Sequence, residues 1–258
     1  MNIVVCVKQV PEEIRINKTK GTLMRDGIKG VINPCDKNAI ETAIALKEKH
    51  GGKVTLVSMG PQDVENTMTH GLAMGADQAI LICDMAFAGA DTLATAFSLA
   101  TAIKKLGDFQ LVLCGRETMD SGTQHVGPQL AQYLGINQVT YVVNLTFENG
   151  KIIAKRRLKE EYETVEVGLP VLVTVVKGIN EPRMPTYLDI YEASKKETFK
   201  WCNADLGLKN DQIGLQGSPT KIVNVFEPVA KRQCQMLKGS IEDVSNMLVQ
   251  NLKSKDLV

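Results

Sequence analysis

At 258 residues the chain can form one large α/β domain or one domain with substantial arms, since a domain takes roughly 100–200 residues. Thirty Lys and Arg against twenty-nine Asp and Glu leave a formal charge of +1, so no global field draws the protein to nucleic acid or an anionic membrane. Six cysteines standing singly, without a C-x-x-C pair, and three histidines argue against a zinc site or a disulfide framework and for reduced thiols.

The first half alternates short apolar runs with helical periodicity, the pattern of β-α units on a parallel sheet. Ile3 to Val7 reads as a buried strand that begins without a charged leader, and no apolar run approaches the ~18–20 residues needed to span a bilayer. The expectation is a cytoplasmic protein, neither secreted nor embedded. Asp36 is expected to cap a helix carrying Ile40, Ala43, Ile44 and Leu46 on one stripe and ending at Gly51-Gly52. Val54 to Val57 makes a second strand, Pro61 suits the first turn of a helix with Val64, Met68 and Leu72 in register, and Ala79 to Ile82 makes a third strand. Asp91 opens the next helix, with Leu93, Phe97 and Ala100 inward, before a strand from Leu111 to Cys114.

From Gln138 to Val176 the pattern becomes strand, turn, strand around Asn149-Gly150, predicting an antiparallel extension of the sheet. Pro182 and Pro185 argue against regular structure beyond Lys177, so 180–196 reads as a loop and 198–258 as an arm. That arm ends in an amphipathic helix introduced by a Ser240-x-x-Asp243 capping box. The reading is therefore a Rossmann-like, adenine nucleotide hydrolase-like α/β domain over 1–197, with a mostly parallel sheet, followed by a C-terminal arm.

Ligands of open α/β sheets sit outside the carboxyl ends of the strands. Those ends carry Lys8, then Asn33 to Asp36, then Ser58-Met59-Gly60, and then the segment from Gly115 and Arg116 through Asp120, Ser121, Gly122, Thr123, Gln124, His125, Val126 and Gly127. Small residues ahead of an apolar helix from Gln124 to Leu134 let backbone N–H groups and hydroxyls converge on the positive end of a helix, which suits a phosphate or pyrophosphate. The plainer alternative is a β-α loop with Ser/Thr capping. There is no Walker lysine and no G-x-G-x-x-G. His125 has no Ser, Cys or carboxylate placed to complete a triad, and Lys8, Asp36, Arg116 and Asp120 suit ligand positioning or loop bracing better than acid–base work. No catalytic residues and no metal ligands are assigned.

Val5-Cys6-Val7-Lys8-Gln9-Val10, Asp26-Gly27, Asn33-Pro34-x-Asp36, Ser58-Met59-Gly60-Pro61, Ala73 to Asp77, Gly115-Arg116 with Asp120, and Asn180-Glu181-Pro182-Arg183 occur in order over nearly the whole chain. Together they resemble the β subunit of electron transfer flavoproteins. The resemblance implies an obligate heterodimer with an α subunit that carries a redox FAD, while the β subunit buries AMP or a second FAD. It also implies nucleotide contacts at Cys6, at Asn33 to Asp36, at Met59 and along Gly115 to Val126. Gly115-Arg116, Asp120, Thr123, Val126-Gly127-Pro128 and the Gly89 to Thr95 segment, with Asp91, Thr92 and Thr95, resemble the two-flavin, electron-bifurcating group. There, NADH reduces the β-bound FAD, and the electrons divide between ferredoxin or flavodoxin and a flavin dehydrogenase such as an acyl-CoA dehydrogenase. The segment after Asn180-Glu181-Pro182-Arg183 resembles the family's recognition loop, implying a dock at Tyr187, Leu188 and Ile190. The chain departs from the family at His125, often Gln, and at Lys159, usually an acid. Two other readings stay open: a single-flavin β subunit with structural AMP, and a free-standing ATP-binding domain of the universal-stress type.

Overall fold

Alternation within one short strand sets the layering of the molecule. In the computed structural model, which describes residues 1–13, 15–17, 22–24, 27–223, 225–226 and 234–258, β1 (Asn2–Cys6) sends Ile3 and Val5 to one face and Val4 and Cys6 to the other. Both faces are buried, as expected of a central parallel strand. Helices α1 (Pro34–His50) and α2 (Val64–Ala73) cover the first face, and α3 (Thr92–Leu106) and α4 (Val126–Leu134) cover the second.

The remaining strands of the main sheet are β6 (Lys53–Met59), β7 (Gln78–Ile82), β8 (Leu111–Gly115), β9 (Asn137–Glu148), β10 (Lys151–Arg157), β11 (Tyr162–Gly168), β12 (Val171–Val175) and β13 (Thr198–Trp201). The nine strands lie in the order β11-β10-β9-β12-β8-β1-β6-β7-β13. From β9 to β13 every pairing is parallel; only the β9–β10 and β10–β11 pairings are antiparallel, so β10 alone runs against the other strands of the sheet. The part of the expected extension beyond the hairpin divides at Leu169-Pro170 into β11 and β12. Asn149 and Gly150 both take positive φ, 51° and 79°, as a tight hairpin turn demands. Two small ribbons, β2 (Gln9–Pro11) with β5 (Gly30–Ile32) and β3 (Arg15–Asn17) with β4 (Thr22–Met24), fill the long first connection. Asp26 of the quoted family pattern lies outside the described residues.

Other differences from the sequence reading have physical causes. Helix α1 starts at Pro34, two residues before the expected cap, because proline suits the first turn of a helix, and Asn33 precedes it without a side-chain cap. The buried side of α3 is Ala94, Ala96, Leu99, Ala100 and Ile103, while Leu93 and Phe97 are half-buried. The segment 180–196 is not all loop: α5 (Tyr187–Ala193) begins just past Pro185, on a capping box in which Thr186 and Asp189 satisfy each other's backbone N–H. Proline limits what precedes it and leaves the next residues free to wind. Thr198–Trp201, expected to open the arm, is the ninth strand of the sheet and pairs with β7.

The strap from Asn180 to Arg183 is fastened to α1, where Asn38 and Thr42 are buried. Asn180 and Asn38 exchange side-chain to backbone bonds, Asn180 also donates to Thr42 Oγ1 at 2.8 Å, and Arg183 reaches Glu41 and Glu48 at 2.9 and 2.6 Å. Beyond a four-residue helix, α6 (Asn203–Leu206), Ser218 and Thr220 meet Asp91 at the start of α3, and α7 (Ile241–Lys253), whose Ser240–Asp243 capping box forms as expected, buries none of its residues.

Candidate nucleotide site

The chain leaves β1 to one side, to β6 and β7, and then crosses back to β8 on β1's other side. A crevice therefore opens between the carboxyl ends of β1 and β8, the topological switch point at which such sheets take ligands. Asp36, in the first turn of α1, closes its floor. The Lys8 N–H donates to Asp36 Oδ2 at 2.8 Å and the Gly115 N–H donates to Oδ1 at 3.1 Å, so one buried carboxylate ties both strand ends to the helix. Gly115 has to be glycine: a Cβ there would stand 2.2 Å from Asp36 Oδ1 and 2.7 Å from Cys35 Cβ.

Asn33, also buried, holds the loop after β8 from below, donating to the Glu117 carbonyl at 2.8 Å and accepting from the Met119 N–H at 3.1 Å. Lys8 Nζ meets both oxygens of Asp120 at 2.8 and 2.9 Å, and the Asp120 side chain is only 2% exposed. Ser121, Gly122, Thr123 and His125 form the exposed rim. The Gly122 N–H donates to the Thr118 carbonyl at 2.8 Å with φ at +59°, a turn that a glycine makes without strain. Helix α4 starts at Val126, two residues later than expected, because Gln124 takes a left-handed φ of 62°. Gly127 faces inward: a Cβ would meet Thr174 Cγ2 at 2.6 Å, so its absence lets α4 lie close on β12.

On the other side of β8 from β1, over β12 and β9, lies a cleft of about 170 Å³ lined by Arg116, Thr123, Gln124, His125, Pro128, Thr140, Tyr141 and Thr174. Arg116 pairs with Glu117, Gln124 donates to the other Glu117 oxygen at 2.6 Å, Tyr141 donates to Gln124, and the Arg116 guanidinium lies 5.7 Å from the centre of the Tyr141 ring. Hydrogen bonds from Gln124 and Arg116 hold the Glu117 carboxyl below its usual range. Arg116 Nε is buried and has no hydrogen-bond partner among the described residues, nor has Ser58 Oγ at the end of β6.

The structure thus gathers Cys6, Lys8, Asn33, Asp36, Gly115, Arg116 and Asp120 to Gly127 around one crevice. Ser58, Met59 and Gly60 end the adjacent strand. Asp91, Thr92 and Thr95 stand one strand further out, where Asp91 already has internal partners: its carboxylate caps α3 at Leu93 and Ala94 and accepts from the Thr220 N–H at 3.0 Å, while its own N–H donates to Ser218 Oγ at 2.7 Å. Sequence reasoning passed over Glu117, Thr140, Tyr141 and Thr174. Only Glu117 stood inside a segment it had marked. Cys6 and Cys114 face each other across β1 and β8, and a hydrogen bond with Cys6 together with burial raises the Cys114 thiol well above its ordinary range, consistent with packing.

An α/β sheet with donors and small residues gathered at its switch point defines the class in which nucleotide-binding subunits are found. Residues 20–206 match the electron transfer flavoprotein domain family. The chain is 46% identical over 261 residues to electron transfer flavoprotein subunit beta of Thermoanaerobacterium thermosaccharolyticum, covering 100% of both chains. It is 40% identical to caffeyl-CoA reductase-Etf complex subunit CarD of Acetobacterium woodii, with 100% of both covered. To protein FixA of Azorhizobium caulinodans it is 40% identical over 90% of this chain and 86% of the other. The chain belongs to the electron transfer flavoprotein family, as a β subunit: an electron-transfer protein of the kind that pairs with an α subunit. Among the described residues no helix is long and apolar enough to cross a membrane.

Burial lifts the Asp36 carboxyl from 3.8 to about 7, against the pull of the two amides it accepts from. The folded form therefore holds a proton that the unfolded chain releases, and the stability contributed by this group falls as pH rises from 3.8 to about 7. Asp36→Asn should leave one of the two N–H donors facing an NH₂ group, at a cost of about 1–3 kcal/mol. Thermal melts of the heterodimer should show the variant less stable than the parent, with the gap narrowing across that pH window. Equal stability would mean that the carboxylate does not join the strands.

Proposed function

We propose that this chain holds FAD in the crevice between β1 and β8, and that the assembled heterodimer divides electrons from NADH between ferredoxin or flavodoxin and a flavin dehydrogenase. The observation that carries this reading is that most of the residues resembling the two-flavin group, Gly115, Arg116, Asp120, Thr123 and Val126 to Pro128, lie on one continuous segment from the end of β8 to the start of α4, beside the cleft. The lining fits an acceptor-rich ligand: guanidinium, imidazole and three threonine hydroxyls line the cleft, and no carboxylate does. Lys8 and Arg116 are each paired with a carboxylate, so a phosphate here would be met chiefly by backbone N–H groups and hydroxyls at the start of α4. At about 170 Å³ the cleft falls below the ~300–1,000 Å³ of pockets that enclose a small ligand, so the α subunit would cover the rest of a dinucleotide. FAD, when bound, supplies exchange between two-electron and one-electron chemistry; the chain supplies binding, orientation and exclusion of water. The same small volume suits structural AMP, and extraction separates the readings because AMP has no visible band.

The arm fits as a clasp on the α subunit. Ile241 and Leu248 are exposed, and the stripe of Val244, Met247, Leu248 and Leu252 on α7 has no buried member. The dock for the dehydrogenase is α5. Tyr187 is 93% exposed and so does not pin the segment to its own domain, and Leu188 and Ile190 stand exposed beside it. The CarD relative, by its name, works with a caffeyl-CoA reductase, which supports an acyl-CoA-type dehydrogenase or reductase as partner here.

Three outcomes are expected. Gly122→Val forces a branched side chain into left-handed backbone and should lower flavin from two to one per heterodimer, measured by extraction and absorbance. Retention of both would remove the loop from the site. Truncation after Gly239 should weaken assembly with the α subunit about tenfold or more by titration, since the stripe's burial is worth at least ~1.4 kcal/mol. Unchanged assembly would leave α7 without this role. Tyr187→Ala should weaken dehydrogenase docking on the order of thirtyfold, from an anchor worth ~2 kcal/mol, with flavin content untouched. Docking at parental strength, or loss of flavin instead, would make α5 structural.

A further inference from the structure

The main sheet is irregular beside the cleft. Between Val173 and Val175 the pairing with β9 slips by one residue, leaving a bulge at Thr140 and Tyr141, and Tyr141 takes a left-handed φ of 62°. Bulges of this kind normally place glycine in that conformation and often re-aim a side chain next to a functional site. Here a large aromatic residue occupies it, and the groups the bulge frees are met one by one. The Tyr141 N–H donates to Thr174 Oγ1 at 3.2 Å, and the Thr140 carbonyl accepts from Arg156 Nε at 3.1 Å.

The bulged side chain lines the cleft and touches two of its walls. Its ring lies against the Arg116 guanidinium, and its hydroxyl donates to Gln124 Oε1. Gln124 is the other non-glycine residue of this region with positive φ, also 62°. Its amide is used at both ends, by Tyr141 and by Glu117, so its side chain is held in place at the cleft wall. Strained residues persist where the surroundings over-determine them, and they gather at ligand clamps.

We propose that Tyr141 is a positioning residue for the nucleotide of this subunit, fixing the left-handed backbone of Gln124 and the plane of Arg116 so that the ligand meets a preformed donor array. This rests on the reading that the crevice holds the nucleotide. The ring acts on Arg116 and the hydroxyl on Gln124, so the two contributions separate by substitution.

The test uses the purified heterodimer with its own nucleotides. Tyr141→Phe keeps the ring and loses the bond to Gln124. It should speed the loss, on dialysis, of the nucleotide equivalent that Gly122→Val removes by about tenfold, the scale of one hydrogen bond, and change the circular dichroism of the bound nucleotide. Gln124→Ala should do the same. Because Tyr141 acts through Gln124, the double variant should lose nucleotide no faster than either single variant. Parental release and spectrum in Tyr141→Phe, or additive effects in the double variant, would overturn the proposal while leaving the site itself standing. Full nucleotide content in Gly122→Val would remove the site, and the proposal with it.

Discussion

Asp36 is the constraint on which the rest of the site depends. The parallel ladder between β1 and β8 ends at Cys6 and Cys114, and just beyond it a single buried carboxylate at the start of α1 ties Lys8 and Gly115 together. The arrangement requires glycine at 115, requires the carboxylate to be acceptor on both oxygens, and places the first turn of α1 under the crevice. Its cost is visible in the raised affinity of Asp36 for a proton, because two amide donors only partly offset removal from water. The Asn33 side chain then builds on this fixed floor, carrying the loop from Glu117 to Met119.

The charges around the crevice cancel in pairs. Lys8 with Asp120 and Arg116 with Glu117 leave no large local field, and the net charge of the whole chain is close to zero. A binding surface built this way offers an anion fixed dipoles and hydroxyls in place of loose cations. Preset dipoles reorganise little when the charge of a ligand changes, which is the demand an electron carrier places on its surroundings.

Much of the sheet was legible because alternation and period survive in the sequence: Val64, Met68 and Leu72 are all buried, and the strands from Ile3, Val54, Ala79 and Leu111 are where the apolar runs put them. The rule that ligands meet strand ends singled out segments that the fold brings to one end of the sheet for the same reason. What escaped depends on distant partners. Asp36 looks like a helix cap, and nothing near it shows that Lys8 and Gly115 will claim its oxygens. Tyr141 sits in an ordinary strand pattern, and its bulge is set by Thr174 and Arg156. The helix α5 was hidden by the prolines before it, although its Thr186–Asp189 capping box was written in the sequence. Thr198–Trp201 is too short and too polar to read as a strand without β7 beside it.

One helix serves both ends of the proposed electron route. The N-terminus of α1 supplies Asp36 to the crevice, and from two to twelve residues further along the same helix Asn38, Glu41, Thr42 and Glu48 hold the strap of Asn180 and Arg183. That strap leads directly into α5, the proposed dock, while Lys196 beyond α5 is fastened to the Leu72 and Ala76 carbonyls at the end of α2. The family pattern Asn180-Glu181-Pro182-Arg183 is thus a mechanical feature whose polar ends grip a rigid element, with proline holding the stretch between them extended. Because the same helix backs the crevice and the strap, the distance from the proposed nucleotide site to the proposed docking surface is set by packed structure. A tether of free loop would let that distance wander, and a carrier that must deliver electrons to a partner's cofactor needs it fixed.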